Sequence, residues 1–331
     1  MSTQKFRHLR IVGAAGTALV LALTVAGCST KTSSSGDKAD TWKPSGQVHM
    51  VVPFSPGGGS DIFGRAVASG IQDNSSAKVT TENHEGGSGA VGYSFIRSKK
   101  GNGQYLLAAE TSLIALPMTT KLGYTWKSFT PLMQLANDNN LLMVPADSKL
   151  KNLKDVVALA KKGKFRMGVS GTSSPDALVA NLFQDESKVK FRKVVVQSGG
   201  EMVTQLLGGS LDGGILNPGE AGEQIKAGKL RAIGVFSDER LKGSLSDIPT
   251  AKEQGIDVSF GQWRGIFGPP DMTDAQIKYW TGVLKKYSES ADYKKYVKQN
   301  DLVSDVKEPA AFKKYLSSYA DQVKQALPSG S

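Results

Sequence analysis

The chain has one cysteine, Cys28, and three histidines in 331 residues. A fold with a single thiol has no internal disulfide, so its stability must come from a buried apolar core. Beyond Cys28 only His49 and His84 remain, and neither stands in an H-x-x-x-H or H-E-x-x-H spacing, so no zinc site is expected. No G-x-S-x-G elbow presents a serine nucleophile, and no G-x-x-x-x-G-K-[ST] loop is present. His84 lies next to Glu85, but no nucleophile is placed with them. Nothing is laid out for covalent chemistry. We expect no enzyme, no catalytic residue, no metal and no cofactor. The net charge is +11, yet no dense basic cluster interleaved with aromatics occurs. Lys161-Lys162 with Lys164, and Lys285-Lys286, read as solvated helix faces, so no nucleic-acid partner is expected.

What is there begins at the N-terminus. Lys5, Arg7 and Arg10 precede a run from Ile11 to Gly27 that is apolar or small throughout. This is a secretory signal peptide by shape, and short for a membrane-spanning helix. It ends Val25-Ala26-Gly27-Cys28, which resembles the lipobox of bacterial lipoproteins, whose cysteine is diacylated and becomes the first residue. Removing residues 1–27 leaves a net charge of +8. Residues 28–46, rich in Ser, Lys, Thr and Gly, read as a flexible tether. The expectation is a lipoprotein anchored to the extracytoplasmic face of a membrane through Cys28, not spanning it.

The stretch Phe54-Ser55-Pro56-Gly57-Gly58-Gly59-Ser60-Asp61 organises the rest. The apolar run Val48–Val52 leads into it as a strand, and Asp61–Ile71 leads out as an amphipathic helix. Consecutive glycines let a backbone pass close to a partner. The first N–H groups of the helix lack internal acceptors and sit at its positive end, so such a loop can bind an anion. A carboxylate, a phosphate and a plain turn all remain open. Asp61 would repel a bound anion unless water or an ammonium group intervened, and a capping role is as reasonable. Arg65 and Arg264 could compensate charge or be structural.

The same order of strand, small-residue loop and helix recurs. Strands are expected at 78–83, 105–109, 132–135, 141–144, 166–169, 193–196, 211–216 and 231–236, with helices at 153–160, 175–186, 201–207 and 221–227 between them. Three helices, 273–290, 293–299 and 308–326, fill the C-terminal third. The alternation argues for an α/β architecture with parallel sheets, whose ligands lie at the carboxyl ends of strands. Strand exits at 54–61, 110–112, 170–174, 197–200 and 217–219 all carry Gly, Ser, Thr, Asn or Gln. Together they suggest a cleft lined by small donors, with Thr111, Ser112, Ser170, Gly171, Thr172, Ser173, Gln197, Ser198 and Asn217 as candidates. Gly87-x-Gly89-x-x-Gly92 formally matches a dinucleotide fingerprint, with Glu110 placed to hold a ribose, so a nucleotide-dependent enzyme stays as an alternative.

Val51-Val52-Pro53 running into the glycine loop resembles the signature of the solute receptors of tripartite tricarboxylate transporters, the TctC or Bug family. The likeness continues at Glu82-Asn83 with Gly86-Gly87-Ser88-Gly89, and at Ser198-Gly199-Gly200-Glu201 with Leu206-Leu207-Gly208-Gly209. It is strongest in Ala227-Gly228-Lys229-Leu230-Arg231-Ala232, in Ile248-Pro249-Thr250 with Glu253, and in Trp263-Arg264-Gly265-Ile266-Phe267-Gly268-Pro269-Pro270. The resemblance implies a type II periplasmic-binding-protein-like fold with mixed sheets and crossing hinge strands. Residues 47–140 plus 260–331 would form one domain and 141–259 the other. It implies a small carboxylate ligand, held partly through water by 54–61 and 170–174, and membrane permease subunits as partners of a monomeric receptor. Glu85 stands where many relatives have proline, Gln197 where a tyrosine falls, and Ser173-Ser174-Pro175 replaces a more glycine-rich version. Ligand identity is therefore not transferred. A relative that binds nothing and serves as sensor or scaffold is the other alternative.

Overall fold

The apolar runs pair into two separate sheets. The computed structural model describes residues 41–327; the signal peptide, Cys28 and most of the tether lie outside the described residues. The first sheet contains β1 (Val48–Val52), β2 (Val79–Asn83), β3 (Tyr105–Ala109), β4 (Thr130–Asp138), β10 (Gln262–Gly268) and β11 (Val303–Lys307), in the order β11-β4-β10-β3-β1-β2. The second contains β5 (Leu141–Pro145), β6 (Arg166–Val169), β7 (Arg192–Val195), β8 (Gly213–Leu216) and β9 (Leu230–Val235), in the order β7-β6-β8-β5-β9.

Both sheets are mixed, where strand–helix alternation by itself predicts parallel ones. β1 pairs in parallel with β2 and β3, and β6 with β7 and β8. β10 runs antiparallel to β3 and β4, and β5 antiparallel to β8 and β9. Apart from the edge strand β11, antiparallel to β4, the reversed strands are those that begin just after the chain changes sheets. β4 ends at Asp138 opposite Gln262, and two residues later β5 starts at Leu141 opposite Leu216 and Val235. The carboxyl ends of the parallel strands of both sheets thus arrive where the crossings are made, and this creates one shared crevice.

The helices are α1 (Gly59–Asn74), α2 (Ala90–Ser98), α3 (Ser112–Thr119), α4 (Leu153–Lys161), α5 (Pro175–Ser187), α6 (Gly199–Leu207), α7 (Pro218–Lys226), α8 (Asp274–Glu289), α9 (Ala291–Gln299) and α10 (Pro309–Ala326). α8 begins in a capping box, Thr273 with Gln276, and buries Trp280, Leu284 and Tyr287 on one face. α10 buries Phe312, Leu316, Tyr319 and Val323. Phe312 stands against Trp263 and Phe267 of β10, with ring centroids 5.4 and 5.3 Å apart. Offset, tilted aromatic contacts of this kind add to the burial of their area.

Two elements escape a sequence reading. α3 is short, holds Pro117, and is buried continuously from Ser112 to Leu116, so it shows no amphipathic period. β11 interrupts the helical C-terminal third as a partly exposed edge strand on β4. α1 also starts at Gly59 rather than Asp61, with Gly58 in the N-cap position.

Candidate functional site

Every one of the five small-residue strand exits reaches the crevice. An inner cavity of about 40 Å³ is lined by Phe54 and Gly58–Ser60 after β1, Glu110 after β3, Ser170 after β6, Ser198 after β7 and Asn217 after β8. Asn140, Asp176, Glu220, Gln262 and Arg264 complete its polar wall, with Pro175, Met202 and Ile215 beside them. Such a volume has room for about three water molecules or one small head group. An outer chamber of about 410 Å³ shares Phe54 and Ser170 with the inner cavity. Its walls are Gly86–Ala90 and Leu116 on one side, and Gly171, Thr172 and Val195–Gln197 on the other. A chamber of this size suits the body of a small molecule.

Several of the expected site residues brace the walls rather than line the cavities. The Asp61 carboxylate accepts from Gly57 N–H at 3.0 Å, from Asn83 Nδ2 at 2.9 Å and from Arg65 Nε at 2.9 Å. Burial works to raise its pKa, but these donors outweigh it and hold the carboxyl below the usual range. Asp61 therefore ties the glycine loop to β2, and Arg65 is engaged by it. Ser55 bonds to Glu85, Thr111 Oγ1 lies 2.8 Å from the Tyr319 hydroxyl, and Ser173 Oγ lies 2.7 Å from Thr119 Oγ1. Ser112 N–H donates to the Glu110 carboxylate. Ser55, Pro56, Gly57, Asp61, Thr111, Ser112 and Ser173 line neither space; Gly171, Thr172 and Gln197 line the outer one alone.

The fingerprint Gly87-x-Gly89-x-x-Gly92 forms the rim of the outer chamber. Ser88 Oγ accepts from Thr172 N–H at 3.2 Å, directly across the crevice. A side chain at Gly171 (φ +153°) would meet that oxygen at 2.7 Å. A side chain at Gly92 would meet Pro53 Cα at 2.8 Å, so this glycine permits close packing of α2 on the strand exit.

The inner cavity is unexpectedly rich in carboxyl groups. Arg264, 2% exposed, donates to Asp138 at 2.6 Å and to Asn217 Oδ1 at 3.0 Å. Gln262 Nε2 also reaches Asn217 Oδ1, at 2.9 Å. Arg264 explains Gly59: a Cβ there would stand 2.4 Å from Nη2. Among the described residues no cation forms an ion pair with Glu110, Asp176 or Glu220. Asp176 is held by Ser170 through both its N–H and its hydroxyl. Burial pushes Glu110 and Asp176 upward, against hydrogen bonds from Ser112 to the first and from Ser170 to the second. Glu220 Oε2 accepts from Asn217 N–H at 2.9 Å, the reciprocal half of a capping box on α7. Its Oε1 crosses to the other sheet's α1 and accepts from Gly59 N–H at 2.7 Å. Burial pushes Glu220 up to about 7 despite these two donors and Arg264. Sequence reasoning omits Asp176, Glu220 and Gln262 as site residues. The Asn217-Pro218-Gly219-Glu220 spacing announces a helix cap and says nothing of a second partner.

Among the described residues no helix is long and apolar enough to cross a membrane, and no three His, Cys, Asp or Glu side chains stand where one metal ion could be held.

Comparison with known proteins places this architecture. Protein BugT of Bordetella pertussis is 26% identical over 246 residues, covering 72% of this chain and 74% of BugT. The crystal structure of a TctC solute binding protein from Polaromonas, without ligand, is 26% identical and covers 86% of this chain and 99% of its own, with a TM-score of 0.62. R. palustris Rpa4515 with adipate shares the fold at a TM-score of 0.79 and 21% identity, over 86% of this chain and 96% of its own. The family model described as "Tripartite tricarboxylate transporter family receptor" matches residues 63–326, the greater part of the sequence. Members of that family are solute-binding receptors, and this chain belongs to it.

Proposed function

We propose that the chain is an extracytoplasmic receptor that holds a small carboxylate between its two sheets and delivers it to a membrane permease. The observation that carries this reading is the convergence of five strand exits and the first turn of α1 on one small polar cavity, opening into a larger, half-apolar chamber. The head group would enter the inner cavity, where Ser60 and Ser198 supply hydroxyls and α1 its amide end. The carbon body would lie outside, against Phe54, Leu116 and Val196. The adipate held by Rpa4515 is a solute of this shape.

The two sheet systems would act as two domains, 47–140 plus 260–331 and 141–259, that close on the solute. Thr172–Ser88 is a contact that closure would make. The tether would hold this receptor to the membrane through a lipid on Cys28, and it would act as a monomer. Replacing Cys28 with Ser is expected to release the protein from the membrane fraction; unchanged retention would sink the lipoprotein part alone.

The acidic inner wall favours a second reading, a solute that carries an ammonium group beside its carboxylate. One screen separates the two. The full chain is heated with acetate, succinate, adipate, citrate, benzoate and a set of amino acids. A solute at about a hundred times its Kd adds about 2.7 kcal/mol to the native state, a readily measured rise in Tm. A shift with plain carboxylates supports the first reading, and a shift confined to amino acids the second. Silence across the panel overturns both and favours a sensor or scaffold.

A further inference from the structure

Glu220 does two things, and only one is explained by its helix. Reaching back to the Asn217 N–H caps α7. That geometry leaves Oε1 free to face solvent, yet it points across the crevice to Gly59 N–H. Room has been left for it: a Cβ on Gly199, at the start of α6, would stand 2.2 Å from Oε1 and 2.6 Å from Oε2. The carboxylate therefore lies where the starts of α1, α6 and α7 come together. This is the place at which the glycine loop offers its amides to an anion.

We propose that Glu220 is a resident carboxylate occupying the solute's own seat on α1, and that a carboxylate solute is captured by displacing it from Gly59 together with uptake of a proton. The proposal rests on the receptor reading above. The Gly59 N–H has one good acceptor direction, so a solute carboxylate placed on it leaves Glu220 Oε1 without a donor and beside a second anion. Protonation then becomes the less costly state.

The surrounding charges do not supply another remedy. Arg264 is committed to Asp138 and Asn217. On α1, Asp61 and Arg65 are turned on each other. On α6, Glu201 accepts from Gln197 N–H and Gln205. On α7 itself, Lys226 pairs with Glu223. On β9, Arg231 is spent on the carbonyls of Ala146, Ser148 and Leu150. Glu110 and Asp176, across the cavity, add negative charge. The unliganded carboxyl already titrates at about 7. Above that pH each captured solute brings in a proton, and affinity falls as pH rises, by up to about tenfold per unit. Below about pH 6.5 the affinity levels off.

The probe is whichever acid of the panel above gives the largest rise in Tm. Calorimetric titration of the full chain at pH 8, in two buffers of unequal ionisation heat, counts the protons taken up. Wild type is expected to take up close to one. Glu220→Gln is expected to take up none, and to bind at pH 8 about as tightly as wild type does at pH 6. If that variant does not fold, Glu220→Asp keeps a carboxylate for Asn217 but is too short to reach Gly59, and has to lose most of the uptake too. Binding without proton uptake by wild type overturns the inference and leaves the receptor intact. A pH slope retained in Glu220→Gln assigns the proton to Glu110 or Asp176 and overturns it as well. Absence of binding by every acid removes the receptor reading on which it rests.

Discussion

Arg264 Nη2 and Asp138 Oδ2 lie 2.6 Å apart, buried, at the point where the chain leaves the first sheet after β4 and re-enters it at β10. Removing one partner of a buried ion pair strands the other charge and costs about 3–5 kcal/mol. Asp138→Ala is expected to lose that much stability in urea unfolding. Asp138→Leu combined with Arg264→Met should recover most of it, because no charge is then left unpaired. A single variant as stable as wild type would show that the pair has no structural role.

Gly59→Ala tests the close approach of α1 to the cavity. Its methyl would stand 2.4 Å from Arg264 Nη2 and 3.2 Å from Asn217 Oδ1, and the guanidinium cannot retreat without leaving Asp138. Solute affinity is expected to drop at least about tenfold, which corresponds to about 1.4 kcal/mol. Isothermal titration with the screened solute gives the answer; equal Kd values for variant and wild type would place the head group elsewhere.

Gly70→Ala is a pure packing test far from the crevice. The new methyl would lie 2.1 Å from the Tyr287 ring of α8, inside the fully packed face of α1. Overpacking of this kind costs about 1–3 kcal/mol. The variant is expected to melt lower while its solute affinity, measured at a temperature where it is folded, stays put.

The pH dependence of stability has a definite sign. An unfolded glutamate titrates near ~4.3, and Glu220 in the fold at about 7. Between those values the native state keeps a proton that the unfolded chain has released, so stability falls as pH rises through the window. Glu110 and Asp176, raised by burial, act in the same direction. Against the push of burial, Arg65 holds Asp61 low, His49 and His84 hold Glu82 low, and Arg166 holds Asp212 low. Those contributions disappear only as pH falls through their depressed values. Tm is therefore expected to decline as pH rises from ~4.3 through about 7, less steeply in Glu220→Gln. A Tm that rises over this range would contradict the assignment.

The glycine loop and the other strand exits are legible in the sequence because strand, small residue and helix start are neighbours in the chain. Gln262, Arg264 and Glu220 carry no such signal. Glu220 meets Gly59 across 161 positions, and Arg264 meets Asp138 across 126. The sequence names these residues but not what they face. Asp61 shows the converse: its neighbourhood to the loop invites a ligand role, while its actual partners, Gly57, Arg65 and Asn83, are all in the same wall. β11 and α3 stay hidden because one is a short charged edge and the other is buried over its first five residues without a break, so neither presents a clean period.

Only Asn139 and Asn140 separate β4 from β5. A link that short spans at most about 11 Å from strand end to strand start, so the two sheets cannot part at that end. Any opening is then a swing about a fixed corner, and distance from the corner sets the stroke. Arg264 and Asp138, beside the corner, hardly travel. Ser88 and Thr172, on opposite lips of the outer chamber, would travel further and would meet when the swing is complete. A partner that reads such a swing would find a longer lever arm at those lips than at the corner.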